Sequence, residues 1–189
     1  MKQRLKQALS QRKKQLIIDN SRVLSAVILP IYYKDGEYYI LFTKRTEKVK
    51  YHKGQISFPG GAYEEKDRTL LNTSLRECDE EIGLKAEDVE ILGELDDTAT
   101  TTSSYIISPF VAIISWPYQF KLDDYEAEEI IEVPISALLA ENSLHLETET
   151  IDGEIFPSYY YHYQGNVIWG ATARILNQFL DIYSQVIGE

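Results

Sequence analysis

Cysteine is nearly missing from this sequence: Cys78 stands alone in 189 residues, so no intrachain disulfide can form. Placed among the apolar positions of a helical stretch, it reads as a small core side chain rather than a nucleophile. Histidine is scarce too, and neither His145 nor His162 has a partner at metal-ligand spacing, which leaves no histidine-ligated zinc site. No apolar run is long enough to span a bilayer, so a membrane is not an expected partner. Repeats, low-complexity tracts and linkers are absent. Positive charge is in short supply: 19 Lys and Arg face 30 Asp and Glu, for a net charge of -11. So acidic a chain repels a polyanion, which argues against nucleic acid. What is present is 44% hydrophobic content, enough at this length for one core and one domain over residues 1–189.

The basic residues that do occur are grouped. Lys2, Arg4, Lys6, Arg12, Lys13 and Lys14 fall within the first 16 residues, without one acid. A transit peptide has that composition, but an N-terminal helix over about residues 1–17, in a segment reaching 20 and packed on the domain, explains it as well. The default location is the cytoplasm. Val23–Tyr33 and Glu37–Lys44 read as a hairpin around Asp35-Gly36. A short strand through Ile56 and Phe58 follows, then a helix from about Thr69 to Ile82. Strands are expected near 89–97 and 104–115, a proline-started helix over 133–139, a strand pair at 143–150 and 155–163, and an amphipathic helix over 167–187 that closes a C-terminal segment from 165. This mixture predicts an α/β fold with a sheet between helices.

The most informative segment is Gly61-x5-Asp67-x8-Arg76-Glu77-x-x-Glu80-Glu81-x-Gly83-Leu84. On a helical wheel Leu71, Leu75, Cys78 and Ile82 form a narrow apolar stripe, and Glu77, Glu80 and Glu81 form an acidic edge roughly 130° away. Asp67 is positioned to cap the first turn, and Gly83 to end the helix in a left-handed conformation. An isolated acidic trio is more often a solvated face, and its like charges destabilise the helix. Three neighbours reverse that reading. Arg76 can orient a carboxylate bidentately, a Pro-Gly-Gly turn precedes the helix, and Gly83 stops it at once. Carboxylates spaced this way suit a hard divalent cation, the cofactor needed to cleave a phosphoanhydride.

This pattern resembles the Nudix box, with matches at Arg76, Glu77, Glu80, Glu81, Gly83 and Leu84. It departs at Asp67, which stands in the usual Glu position, and eight rather than seven residues separate it from Arg76. The resemblance implies a Nudix α/β/α sandwich with a mixed central sheet. It also implies hydrolysis of a nucleoside diphosphate linked to another group, with Mg²⁺ or Mn²⁺ held by Glu77, Glu80 and Glu81.

Residues 41–61, LFTKRTEKVKYHKGQISFPGG, resemble the extended motif of the coenzyme A pyrophosphatase branch at Thr43, Arg45, Gly54, Phe58, Pro59, Gly60 and Gly61. Thr46 replaces the usual Ser or Ala, and Lys50 the usual Arg, which keeps charge but loses the planar fork that grips phosphate. Residues 168–176, IWGATARIL, resemble the same branch. Lys44, Arg45, Lys48, Lys50 and Lys53, with His52, make a basic island in an acidic chain, suited to the 3′-phosphate and pyrophosphate of coenzyme A. A solvated loop is the plain alternative.

The expected substrate is therefore coenzyme A or a related nucleotide, contacted by Arg45, Lys50, His52, Gly60 and Gly61. Arg76 would orient the carboxylates. The general base is open between a helix glutamate and the acidic loop 123–129, where register favours Glu126. Another nucleoside diphosphate derivative, or a non-catalytic binding module, are the competing readings. Tyr159–Tyr161 and Tyr163 fit strand packing better than adenine stacking, Trp169 is expected to anchor the terminal helix, and a homodimer stays open.

Overall fold

A computed structural model describes residues 1–48, 53–101, 103–151 and 154–188. Its frame is the hairpin of β1 (Val23–Lys34) and β2 (Glu37–Arg45), paired from Lys34↔Glu37 to Ile31↔Ile40. The turn forms because Asp35 and Gly36 both take positive φ, at 51° and 93°, and these two residue types tolerate it best. β1 is buried on both faces from Ile28 through Tyr32, as a central strand should be. β7 (Tyr105–Ile114) runs parallel to it, from Val23↔Tyr105 to Ile31↔Ile113. β5 (Val89–Glu94) and the short β6 (Thr98–Ala99) pair antiparallel with β7.

Beyond Ile31↔Ile40 the two hairpin strands diverge. β3 (Ile56–Ser57) pairs with β2 inside this fork, and β4 (Gly60–Ala62) pairs with β1. Phe58 joins them, its ring stacked on Phe42 at 4.8 Å. The Pro-Gly-Gly turn thus sits where the sheet splits.

α2 (Leu70–Ile82) covers one face of the sheet, where Cys78 and Ile82 pack with Ile28, Leu41, Leu84 and Ala112. Cys78 is a core residue, as expected. On the other face lie α1 (Lys2–Gln11) and α4 (Gly170–Gly188), with Leu5, Leu9, Leu176 and Phe179 in one cluster with Leu29, Ile40, Phe42 and Val111. The layers are helix, mixed sheet, helices: the α/β/α arrangement.

Boundaries differ from expectation in four places. α1 stops at Gln11, because the chain beyond it gives its polar groups to the loop after β5. Gln15 N–H donates to Asp96 at 2.9 Å, Ile17 N–H to Asp97 at 3.1 Å, and Arg12 pairs with Asp96 at 2.9 Å. Lys2 and Lys14 likewise pair with Glu90 and Glu94, so much of the N-terminal positive charge is matched by acids on the domain. The acidic loop 123–129 is a strand from Ala127 onward: β8 (Ala127–Pro134) pairs with β2, Ile131 and Val133 alternate inward, and Ala127 is buried beyond a register shift. Pro134 ends that strand, so α3 (Ile135–Leu138) is a single turn. Finally, β9 (Leu144–Ile151) and β10 (Glu154–Tyr163) are joined by β11 (Asn166–Ile168), formed through a turn at Gln164-Gly165, and α4 starts after it. Tyr161 is buried there with its hydroxyl donating to Asn177 at 2.8 Å, a strand-packing role as expected.

Candidate active site

α2 begins at Thr69, whose hydroxyl accepts the Asn72 N–H at 3.1 Å, and ends at Gly83 with φ 69°. The expected cap, Asp67, instead closes the preceding 3-10 turn by accepting the Glu64 N–H at 3.0 Å. Its carboxylate also takes a bidentate grip from Arg76, at 2.8 Å from Nε and 3.0 Å from Nη2, and a bond from Thr73 at 2.9 Å. These bonds, from Arg76 foremost, hold Asp67 well below the usual carboxylate range. The extra residue between Asp67 and Arg76 is absorbed by this turn, where Arg68 adopts φ 65°.

The three glutamates occupy three environments. Glu80 is exposed and accepts from Arg76 Nη1 at 2.8 Å. Glu77 is largely covered and pairs with the same nitrogen at 2.8 Å; burial raises its pKa, against the pull of Arg76. Glu81 turns inward, accepts the Gly60 N–H at 3.1 Å and lies 3.8 Å from Arg45 Nη1. Burial pushes its pKa up to about 8; the Gly60 and Arg45 contacts oppose this, and the charges of Glu126 and Glu77 add to it.

The glycines are required by this closeness. A Cβ on Gly60 would stand 2.2 Å from the Ala26 carbonyl oxygen, and its φ is 151°. A Cβ on Gly61 would fall within 2.4 Å of the Glu77 carboxyl carbon. Only bare backbone lets the turn lie directly on the acidic edge.

Glu126 reaches the same place from the loop just before β8. The end of α2 holds its loop, with Asp123 N–H donating to the Glu81 carbonyl at 2.9 Å. From the other side Thr46 donates its hydroxyl to the Tyr125 carbonyl at 2.6 Å and its N–H to the Glu126 carbonyl at 3.1 Å. Arg45, Gly60, Gly61, Glu77 and Glu126 thus line one cleft of about 910 Å³. Glu81 lies beneath it, and Arg76 holds both Glu77 and Glu80 from outside. Lys50 and His52 fall outside the described residues. Two further residues of the basic island are engaged, Arg45 with Glu81 and Lys48 with the Asp124 carbonyl at 3.0 Å.

Sequence reasoning missed part of the cleft wall. Ser25, Val27, Thr100, Ser103, Tyr105, Ile107 and Tyr125 also line it. Parallel pairing of β1 with β7 gathers several of them, and no local motif marks that pairing. Trp169 is not a core anchor: it is 41% exposed and sits on the cleft wall.

The donor set fits a hard cation in its chemistry, being all carboxylate oxygen, partly dry and mutually repulsive. Among the described residues no three such side chains are gathered into a ready cage, since Arg76 holds Glu77 and Glu80. Binding an ion would draw these oxygens from the arginine.

A model of the NUDIX domain matches residues 22–159. The chain belongs to the Nudix family. A Nudix hydrolase, NudL, of Photorhabdus laumondii is 34% identical over 160 residues, 85% of this chain and 84% of that protein. NudL of Yersinia pestis is 32% identical over 155 residues, covering 80% and 75%. Among solved structures, a MutT/nudix family protein from Enterococcus faecalis aligns with TM-score 0.57 and 16% identity over 95% of this chain and 72% of that one. The NUDIX domain of Shewanella oneidensis NrtR, complexed with ADP ribose, aligns with TM-score 0.52 and 18% identity, covering 64% and 78%. At these identities both show the shared Nudix fold. This Nudix protein is accordingly a pyrophosphohydrolase acting on nucleoside diphosphate derivatives, in a family that generally depends on divalent metal ions. No described helix is long and apolar enough to cross a membrane.

Proposed function

We propose that this Nudix enzyme hydrolyses the pyrophosphate bond of coenzyme A or an acyl-coenzyme A, giving 3′,5′-ADP and 4′-phosphopantetheine or its acyl form. The observation that carries the reading is Arg45. It belongs to the extended motif, far from the helix in sequence, yet its guanidinium lies 3.8 Å from Glu81 and lines the cleft of Glu77 and Gly61. A phosphate entering there would meet a cation on one side and a metal on the other.

In this reading Glu77, Glu80 and Glu81 would hold Mg²⁺ or Mn²⁺, which when bound would supply neutralisation of the pyrophosphate charge and activation of water. Arg76 positions Glu77 and Glu80 and is itself fixed by the buried Asp67. Arg45 takes up phosphate charge, with Lys50 and His52 as further contacts from the basic segment. Gly60 and Gly61 leave room for phosphate oxygens against the backbone. Glu126, near enough for its charge to raise both Glu77 and Glu81, is assigned as the base that takes a proton from the attacking water. We assign the protein to the cytoplasm as one domain over residues 1–189, with a homodimer to be tested by light scattering.

Lys50, in place of the branch's usual Arg, favours a second reading, a nucleotide sugar, NADH or a dinucleotide polyphosphate as substrate. A panel of these with coenzyme A and Mg²⁺, scored by phosphate-containing products, decides between them. Coenzyme A should be cleaved with the highest kcat/KM. Replacing Arg45 and Lys50 by Ala should raise KM for coenzyme A more than for dephospho-coenzyme A, and equal effects would refute contact with the 3′-phosphate. Binding without cleavage of any member would mark a regulator instead.

A further inference from the structure

The cleft is divided by charge across the fork in the sheet. On the β2 and β8 side its wall carries Arg45 and Glu126. On the β1 and β7 side, and at the start of α4, every described lining residue is uncharged: Ser25, Thr100, Tyr105, Ile107, Trp169 and Thr172 carry its chemistry. Tyr105 and Trp169 are 37% and 41% exposed, and neither stacks on another ring among the described residues. Two large amphipathic rings beside hydroxyls form a surface that gains by covering.

This wall is also built in advance. Arg22 donates to the Thr100 carbonyl at 2.9 Å and Arg174 to the Ala99 carbonyl at 2.5 Å, holding these two residues by their backbone. Tyr105 N–H donates to the Thr100 hydroxyl oxygen at 3.0 Å, and Thr100 N–H to the Tyr105 carbonyl at 3.0 Å. Ser103 donates to the Thr100 hydroxyl oxygen at 3.0 Å. A wall tied this way loses little freedom when a ligand settles on it.

We propose that this uncharged lobe is a second subsite, which takes the neutral, amide- and hydroxyl-bearing half of an asymmetric diphosphate, with Tyr105 and Trp169 as its specificity-determining residues. The inference rests on the substrate reading above and sets its orientation. In coenzyme A the extra phosphate is attached to the adenosine half, so that half belongs on the side of Arg45. The pantetheine arm, which carries no charge, belongs in the lobe of Tyr105 and Trp169. A diphosphate lying this way crosses Gly61 and Glu77, which lie between the lobes.

The test is calorimetry of the two half-molecules with Mg²⁺ on the full chain, its W169A and Y105A variants, and R45A. W169A and Y105A should each weaken 4′-phosphopantetheine roughly fivefold or more, as the loss of one aromatic wall implies, and leave 3′,5′-ADP within about twofold. R45A should do the reverse. Unchanged 4′-phosphopantetheine binding in both lobe variants, or an equal loss of 3′,5′-ADP, overturns the orientation. Unaltered melting temperatures exclude misfolding as the cause of a loss. Failure of the coenzyme A reading looks different, because neither half-molecule binds the unaltered chain and the panel finds another substrate. The same variants are then run with the two halves of that substrate: selective loss of the less charged half upholds the lobe, and loss of the more charged half overturns it.

Discussion

Asp67→Asn is the substitution that best separates positioning from metal binding. Asp67 is 6% exposed and accepts from Arg76 at 2.8 and 3.0 Å, from Thr73 at 2.9 Å and from Glu64 at 3.0 Å. An amide keeps one acceptor but turns a donor toward the guanidinium or the Thr73 hydroxyl. Charge-assisted bonds contribute about 1.5–3 kcal/mol each, and breaking a buried pair costs about 3–5 kcal/mol. Arg76 keeps Glu77 and Glu80, so the net loss should be nearer 3 kcal/mol, roughly 6–12 °C in Tm for a chain of this size. The pH signature is specific. Asp67 has a depressed pKa when folded, so its contribution is complete above the unfolded value of about 3.9 and drains away as pH falls toward the folded value. Thermal melts of both proteins should differ by a constant amount from about pH 5 to 8, and the gap should narrow progressively as pH falls below about 4 toward the depressed folded value. Millimolar Mg²⁺ should leave the difference unchanged, since Asp67 faces Arg76 and not the cleft. A Tm within about 2 °C of the parent at neutral pH, or a gap that does not narrow at all as pH falls below about 4, would falsify the account. A gap that widens with Mg²⁺ would mean that Asp67 contributes to metal binding, directly or through Arg76.

Two other outcomes follow from the same geometry. Glu81→Gln should keep the fold, because the side-chain carbonyl still accepts the Gly60 N–H, while turnover drops roughly a thousandfold or more. With its folded pKa raised to about 8, ionised Glu81 costs the metal-free protein stability as pH rises from the unfolded value, about 4.3, through 8. The variant should therefore melt higher than the parent at pH 8–9 without metal; near-normal kcat, or no such crossover, removes Glu81 from this role. Gly61→Ala places a methyl within 2.4 Å of the Glu77 carboxyl carbon, so Glu77 must move and Mg²⁺ activation should weaken about tenfold, read from activity against Mg²⁺ concentration. An unchanged Mg²⁺ midpoint would mean that Glu77 is not a ligand.

Legibility varied with the range of the interaction that decided each feature. Helix α2, its Gly83 stop and the β1–β2 hairpin depend on spacing within a dozen residues, and the sequence carries that spacing directly. β8 was hidden because its acidic start, with a register shift between Ala127 and Glu129, masks the short alternation at Ile131 and Val133. The end of α1 at Gln11 was set by Asp96 and Asp97, some 80 residues away, which no local propensity reports. Asp67 illustrates the same limit. Its chemistry as a helix cap was sound, but the 3-10 turn moved it one element upstream, into the grip of Arg76.

From its sequence alone this chain determined the family likeness, the acidic helix edge and the glycine turn, because periodicity and close backbone approach are written in residue types. Only the tertiary structure decided that Glu77, Glu80 and Glu81 are unlike one another. It turned one toward water, one toward Arg76 and one under Gly60, and burial then pushed the last to a pKa of about 8. It also decided that Trp169 and Tyr105 line one cleft, because residues so far apart in sequence come to the same wall only where β1 and β7 run parallel near the start of α4.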